Sequence, residues 1–366
     1  MANRRVLNPE SKSRETRTYL LRIPIHFKDQ VADVLADLNA ELVRKLGTEY
    51  FLVRVRGDLP SAGAERLRFV RWSIPMDHVW PCKPLKMEDF IEKAARTLAD
   101  KFPADSLQGV FVGVLDPSAR DGHYKSLAKS LRGRVIQRMG DGAKGFVKVE
   151  EQVSTSASLF CLLGEEGLYA GVASPRSANG FYPGGTKFIS QSAPHMISRA
   201  GAKIAEALHY LRLYREVPPE GSHWLELGAC PGGMTSELLE RRYRVTAVDR
   251  APLDDRLYGR EGLTFHKADV ADYSPGPGAN FDAVLCDMNG ETGFALRQVV
   301  RLSRFLNRGG LAVFTLKAAG IGSYREYLGH HESAIRQAGA GGLRLLANTH
   351  LTYNRHEFTL FFEKQG

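Results

Sequence analysis

The sequence predicts an α/β protein whose C-terminal half builds a mainly parallel sheet with helices on both faces. Three observations carry this: regular strand–helix alternation after residue 200, a glycine-rich turn between a strand and a helix, and charged residues at strand ends. The alternating strands are HWLELGA (223–229), RVTAVD (244–249), LTFHKA (263–268), DAVLCD (282–287), GLAVFTL (310–316), LRLLANT (343–349) and EFTLFFE (357–363). Helical patterns join most of them.

The front of the chain reads differently. A strand at 19–25 (YLLRIPI) precedes an amphipathic helix over 29–46, and strands follow at 50–57 and 67–75, which together make a small α+β module. MDHVWPCKPL, with prolines at 81 and 84, reads as a linker. Helices over 87–102 and 123–139 and strands at 109–115, 145–151, 156–164 and 167–174 then form a second α/β unit. Residues 174–200 are dense in Ser, Gly and Pro and read as a loop. The expected divisions are therefore 1–80, 81–176, a linker at 177–200, and 201–366.

At 366 residues, 43% hydrophobic and 25% charged, the chain has the composition of two or three globular domains rather than of a disordered or fibrous protein. Its net charge of +9 is unevenly placed. Residues 1–200 hold 30 basic and 22 acidic side chains, residues 201–366 hold 20 and 19, so the basic excess sits in front. A polyanionic partner there is plausible on electrostatic grounds. Cys82, Cys161, Cys230 and Cys286 are widely spaced, which suggests neither a zinc site nor a disulfide framework and fits a reducing cytoplasm. No apolar run approaches a membrane span, and no signal-peptide pattern opens the chain.

The sharpest local signal is LELGACPGGMTSELLE (225–240), where an apolar strand runs into a glycine-rich turn and then a helix. Gly228, Gly232 and Gly233 permit positive φ or close approach to a ligand, and Cys230 and Pro231 complete the turn. Asp249 ends the next strand, where an acid can accept hydrogen bonds from ribose hydroxyls, so a nucleoside is expected. Spacing alone does not separate a nicotinamide cofactor from S-adenosylmethionine, but ELGACPGG is not GxGxxG. The proline in the turn and the missing third glycine resemble the first motif of methyltransferases. Asp269 in HKADV can accept from an adenine amino group or cap the following turn. Asp287 and Lys317 each close an apolar strand, where an unpaired charge is costly, so each needs a partner.

With SRAGAKIAEAL placing Lys203 before the glycine loop, and YNRHEFTLFF placing Glu357 at the last strand, the set resembles the FtsJ-like ribose 2′-O-methyltransferases and their Lys-Asp-Lys-Glu tetrad. LGACPGG, CDM, LK and NRHEFTL resemble more narrowly the large-subunit ribosomal RNA cytidine 2′-O-methyltransferase family. That resemblance implies a Rossmann-fold domain with a seven-stranded sheet, preceded by ferredoxin-like α+β and THUMP-like α/β modules. It covers roughly 155–366; over 1–154 only the order of elements agrees. At Ala200 the related enzymes often carry a serine, which is a departure here.

The resemblance implies S-adenosyl-L-methionine as cofactor, no metal, and RNA as substrate, a cytidine in 23S ribosomal RNA or its ribosomal precursor. It also implies Lys317 as general base, Asp287 and Glu357 as orienting groups, and Lys203 as the residue that positions the nucleotide. For RNA capture the candidates are Lys125, Lys129, Arg132, Arg134 and Arg138 on one helix, extended by Arg54, Arg56, Arg66, Arg68 and Arg71. Phe181 and Tyr182 are candidates for stacking on a base or for core packing. The competing expectations are a small-molecule O-methyltransferase, which needs neither the basic front nor the lysine pair, and a catalytically silent RNA-binding factor.

Overall fold

The computed structural model describes residues 15–60, 67–116, 122–191 and 193–366. The chain divides into two compact units, Met1–Thr186 and Lys187–Gly366.

In the first unit, β1 (Thr16–Arg22), α1 (Val31–Asp37), β2 (Ala40–Leu46), β3 (Tyr50–Arg56) and β4 (Trp72–Pro75) give an antiparallel sheet ordered β2-β3-β1-β4. This is the strand order of a ferredoxin-like split βαβ unit. The helix expected over 29–46 ends at Asp37. Asn39 takes a left-handed φ of 51°, and the residues after it pair with β3 as an edge strand with an irregularity between Leu42 and Arg44. Tertiary pairing here overrides a sequence pattern compatible with a longer helix.

The expected linker around residue 80 contains a strand. β5 (His78–Trp80), α2 (Phe90–Lys101), β6 (Val110–Val114), α3 (His123–Met139), β7 (Ser158–Gly164) and β8 (Gly167–Ala173) form a second sheet ordered β5-β8-β7-β6, followed by the short α4 (Pro175–Ala178). No strand forms at 145–151; Val149–Glu151 is a 3-10 turn, and the Glu151 carboxylate accepts from the Lys148 N–H at 3.1 Å. One face of the second sheet buries Phe90, Leu98, Leu131 and Val135 of α2 and α3. Its other face packs Phe160, Leu162 and Tyr169 with Leu20, Trp72 and Ile74 of the first sheet. Residues on both sides of position 80 thus share a core. Of the stretch read as a linker at 177–200, Ala178 and Phe181 are buried within this first unit, so Phe181 packs rather than offering a stacking face. Tyr182 donates its hydroxyl to Glu150.

The second unit holds α5 (Ala200–Leu211), β9 (His223–Leu227), α6 (Gly233–Glu240), β10 (Arg244–Asp249), β11 (Leu263–Lys267), β12 (Phe281–Cys286), α7 (Thr292–Leu302), β13 (Leu306–Lys317), α8 (Tyr324–Ala340), β14 (Leu343–Thr349) and β15 (Glu357–Lys364). They form one seven-stranded sheet ordered β11-β10-β9-β12-β13-β15-β14. β15 runs antiparallel to both its neighbours; the other pairs are parallel. The strand order reverses between β9 and β12, and such a switch point opens a crevice at the carboxyl ends of the strands. Among the described residues no helix is long and apolar enough to cross a membrane.

Candidate active site

At the switch point β9 turns sharply. Gly228 has φ 79° and Gly232 has φ 105°, conformations that exclude side chains at little cost only for glycine. A Cβ at Gly228 would also lie 2.8 Å from Met288 Cγ, and one at Gly233 would collide with the Ser198 hydroxyl. The turn is fastened to the next strand: the Cys230 N–H donates to Asp249 Oδ2 at 2.9 Å, and the Ala251 N–H donates to Oδ1 at 2.8 Å. Each carboxylate oxygen retains a further lone pair for a ligand.

These groups border a cavity of about 690 Å³. Gly228, Cys230, Pro231, Gly233, Asp249, Asp269, Lys203, Asp287 and Lys317, all anticipated from sequence, line it. Gly232 does not; it starts α6 in a left-handed conformation and packs against Leu257. Asp269 lines the cavity while accepting from the Ala271 N–H at 2.8 Å, so it caps its turn as well. Its other oxygen lies 3.6 Å from exposed Arg250. Ala200 borders the cavity where the resemblance led one to expect serine.

Sequence reading missed part of the wall. Met288, Asn289, Gly290, Glu291 and Phe294 follow Asp287 on the loop into α7; the signal was their place just beyond a strand end at the switch point. Glu226 was also missed, hidden inside an apolar strand. It is 2% exposed, accepts from the Thr235 hydroxyl at 2.7 Å, and burial pushes its carboxyl up to about 8.

Beside the cavity four charges close a ring. Lys317 Nζ lies 2.5 Å from Asp287 Oδ1 and 3.0 Å from Glu357 Oε2. Lys203 Nζ lies 3.4 Å from Asp287 Oδ2 and also pairs with Glu357. Strand geometry explains the convergence: Asp287 follows β12, Lys317 ends the adjacent β13, and Glu357 opens β15 directly opposite Lys317 in the ladder. Lys203 enters from α5. Their side chains are only 10–19% exposed, so water screens the ring poorly. Burial acts to lower the Lys317 ammonium, yet Asp287 and Glu357 together outweigh it and hold the group above the ordinary lysine value.

Residues 196–307 match the FtsJ-like methyltransferase family. This segment is an FtsJ-like methyltransferase domain. The chain also resembles curated proteins named Ribosomal RNA large subunit methyltransferase M. The one from Halorhodospira halophila is 38% identical over 91 residues, 25% of this chain and 26% of that protein. The one from Psychromonas ingrahamii is 33% identical over 132 residues, 35% of each chain. The chain therefore matches about a third of the length of these relatives. Among solved structures, Aeropyrum pernix fibrillarin in complex with S-adenosyl-L-methionine aligns at TM-score 0.35 and 18% identity over 58% of this chain and 85% of that one. TrmN from Thermus thermophilus aligns at TM-score 0.35 and 15% identity over 96% and 100%.

The FtsJ-like domain's residues fit a cofactor with a nucleoside portion. Two carboxylates at successive strand ends face a cavity whose floor is glycine backbone, and the cavity volume lies within the usual range for small-molecule sites.

The candidate RNA residues of the first unit are brought together only in part. Lys125 and Lys129 are exposed on α3. Arg134 and Arg138 instead donate to Glu92 of α2 at 2.9 and 2.7 Å, which holds that carboxyl at about 2, well below the usual range. Arg132 donates to the Val110 carbonyl at 2.8 Å. Arg68 and Arg71 are buried, Arg54 lies 3.4 Å from Glu41, and Arg66 lies outside the described residues.

Proposed function

We propose that this protein methylates a ribose 2′-hydroxyl in RNA, a cytidine of 23S ribosomal RNA, using S-adenosyl-L-methionine. The closed Lys203–Asp287–Lys317–Glu357 ring beside the glycine-floored cavity carries the reading. The cofactor, when bound, supplies an electrophilic methyl on a sulfonium, so the leaving group needs no proton. The attacking hydroxyl must lose one.

Lys317 is the base in this reading. Its ammonium first sheds a proton, and the neutral amine then takes the 2′-hydroxyl proton. Asp287 and Glu357 fix Nζ in place, and Lys203 offsets negative charge growing on the 2′-oxygen. In the ring two lysines balance two carboxylates, so Lys317 deprotonation leaves one net negative charge that a nearby cation would offset. Asp249 and Asp269 would hold the cofactor's ribose and adenine, with Gly228, Cys230, Pro231 and Gly233 as its backbone cradle.

Lys125 and Lys129 of the first unit would contact phosphate, positioning RNA with little sequence preference. The domain layout of 1–80, 81–176, 177–200 and 201–366, with a THUMP-like second module, belongs to the same proposal, as does a cytoplasmic location.

The test is tritiated methyl transfer from S-adenosylmethionine to ribosomal RNA lacking its own modifications, followed by nuclease mapping. Label on a single ribose 2′-oxygen is expected. Label on base atoms, or labelling of small hydroxylated compounds without RNA labelling, overturns the proposal.

A further inference from the structure

A second cavity, of about 490 Å³, is also bordered by Lys317. Gly290, Glu291 and Lys317 border both cavities, so the two meet at the lysine. The far wall is one face of α8, where His330, Ser333 and Gln337 follow one another at helical spacing. Among the described residues no hydrogen bond or ion pair engages the Ser333 hydroxyl or the Gln337 amide. Leu296 and Ile321 add apolar surface. The carbonyl of Lys317, by contrast, is already taken, accepting from the Thr292 hydroxyl at 3.0 Å and paired with His330 Nε2 at 2.9 Å. That arrangement holds the end of β13 rigid while leaving the Ser333 and Gln337 groups for a ligand.

We infer that this second cavity receives the nucleobase of the acceptor nucleotide, with Ser333 and Gln337 hydrogen-bonding its edge. The inference rests on the proposed ribose methylation and deepens it. In a ribonucleoside the 2′-oxygen and the base sit on adjacent ring carbons. A hydroxyl delivered to Lys317 Nζ therefore brings its base within a few ångströms of that lysine. The first cavity holds the carboxylates suited to the cofactor, and Lys317 borders the second cavity as well. Its volume falls in the usual range for small-ligand sites, and its lining combines apolar contact with a few placed polar groups, as a planar heterocycle requires. An amide and a hydroxyl both donate and accept, so they can pair with a splayed base along its edge.

The experiment uses the full chain and two short RNAs spanning the mapped site, one intact and one with an abasic ribose at the target. Ser333 is exposed, so Ser333→Trp fills the cavity from the helix surface without entering the core. For the wild type, kcat/KM on intact RNA exceeds that on abasic RNA. For Ser333→Trp, kcat/KM on intact RNA falls roughly 100-fold, its preference for intact over abasic RNA collapses towards one, and calorimetric affinity for S-adenosylmethionine stays within about twofold. Gln337→Leu, close in size, loses roughly fivefold on intact RNA only. A Ser333→Trp protein that keeps the base preference, loses activity on both RNAs equally, or loses cofactor affinity overturns the base site. A wild-type protein that methylates no RNA ribose instead overturns the reading beneath it.

Discussion

Two clusters of paired charge, one in each unit, show what burial does to the same chemistry. On the first unit's surface Glu92 holds Arg134 and Arg138, with side chains 34–43% exposed. In the second unit Asp287 and Glu357 hold two lysines at 10–19% exposure. The exposed cluster ties α2 to α3, and salt and solvent weaken it. Within the buried ring Asp287 and Glu357 hold the Lys317 ammonium above the ordinary lysine value, and such perturbed groups cluster at functional sites. Arg134 and Arg138 of α3 thus became fold contacts, whereas Lys317 at a strand end and Lys203 on α5 became part of the candidate site.

The largest expected effect that sharpens this contrast is in the ring. Glu357→Gln removes one of the two carboxylates that raise Lys317, so the ammonium loses its proton more easily. The rising limb of the pH–rate profile should move to lower pH by about one unit, with kcat lowered as Nζ loses a fixed partner. A limb that stays in place, read from single-turnover rates across pH, would detach Lys317 from the titration.

Glu226 gives a smaller effect of definite sign. Its folded carboxyl sits at about 8 against an ordinary 4.5. Between those values the native state holds a proton that the unfolded chain has released, so stability falls as pH rises through that window. Glu226→Gln can still accept from Thr235 and should flatten this slope, raising the melting midpoint most above pH 8. An unchanged slope in thermal melts would mean that Glu226 is not the group responsible.

The smallest effect separates the basic residues of α3. Lys125→Gln with Lys129→Gln should weaken RNA binding and reduce the salt slope of its affinity by about two. Arg134→Gln should leave that slope unchanged and shift the melting midpoint by about 2 °C or less. A salt slope that responds equally to both would return Arg134 to the RNA surface.

Most of the second unit was legible in the sequence because parallel strands buried on both faces read as apolar runs with abrupt charged ends. Asp287 and Lys317 stand out for that reason, Asp249 stands out by its place one strand after the glycine loop, and Lys203 and Glu357 stand out only through the FtsJ-like resemblance. Glu226 did not, since one acid inside HWLELGA interrupts no pattern. The first unit was harder. Ala40–Leu46 is an exposed edge strand whose residues suit a helix equally well, and β5 lies among prolines. The arginines of α3 have the composition of a nucleic-acid contact, and only the fold placed Glu92 of α2 against them.

The most direct measurement compares Lys317→Ala with the wild type in two assays, calorimetric binding of S-adenosylmethionine and single-turnover methyl transfer to RNA. The account predicts binding within about threefold and transfer reduced roughly 1,000-fold or more, in the range for loss of a general base. Binding that falls as steeply as transfer would contradict it and make Lys317 a cofactor-binding residue.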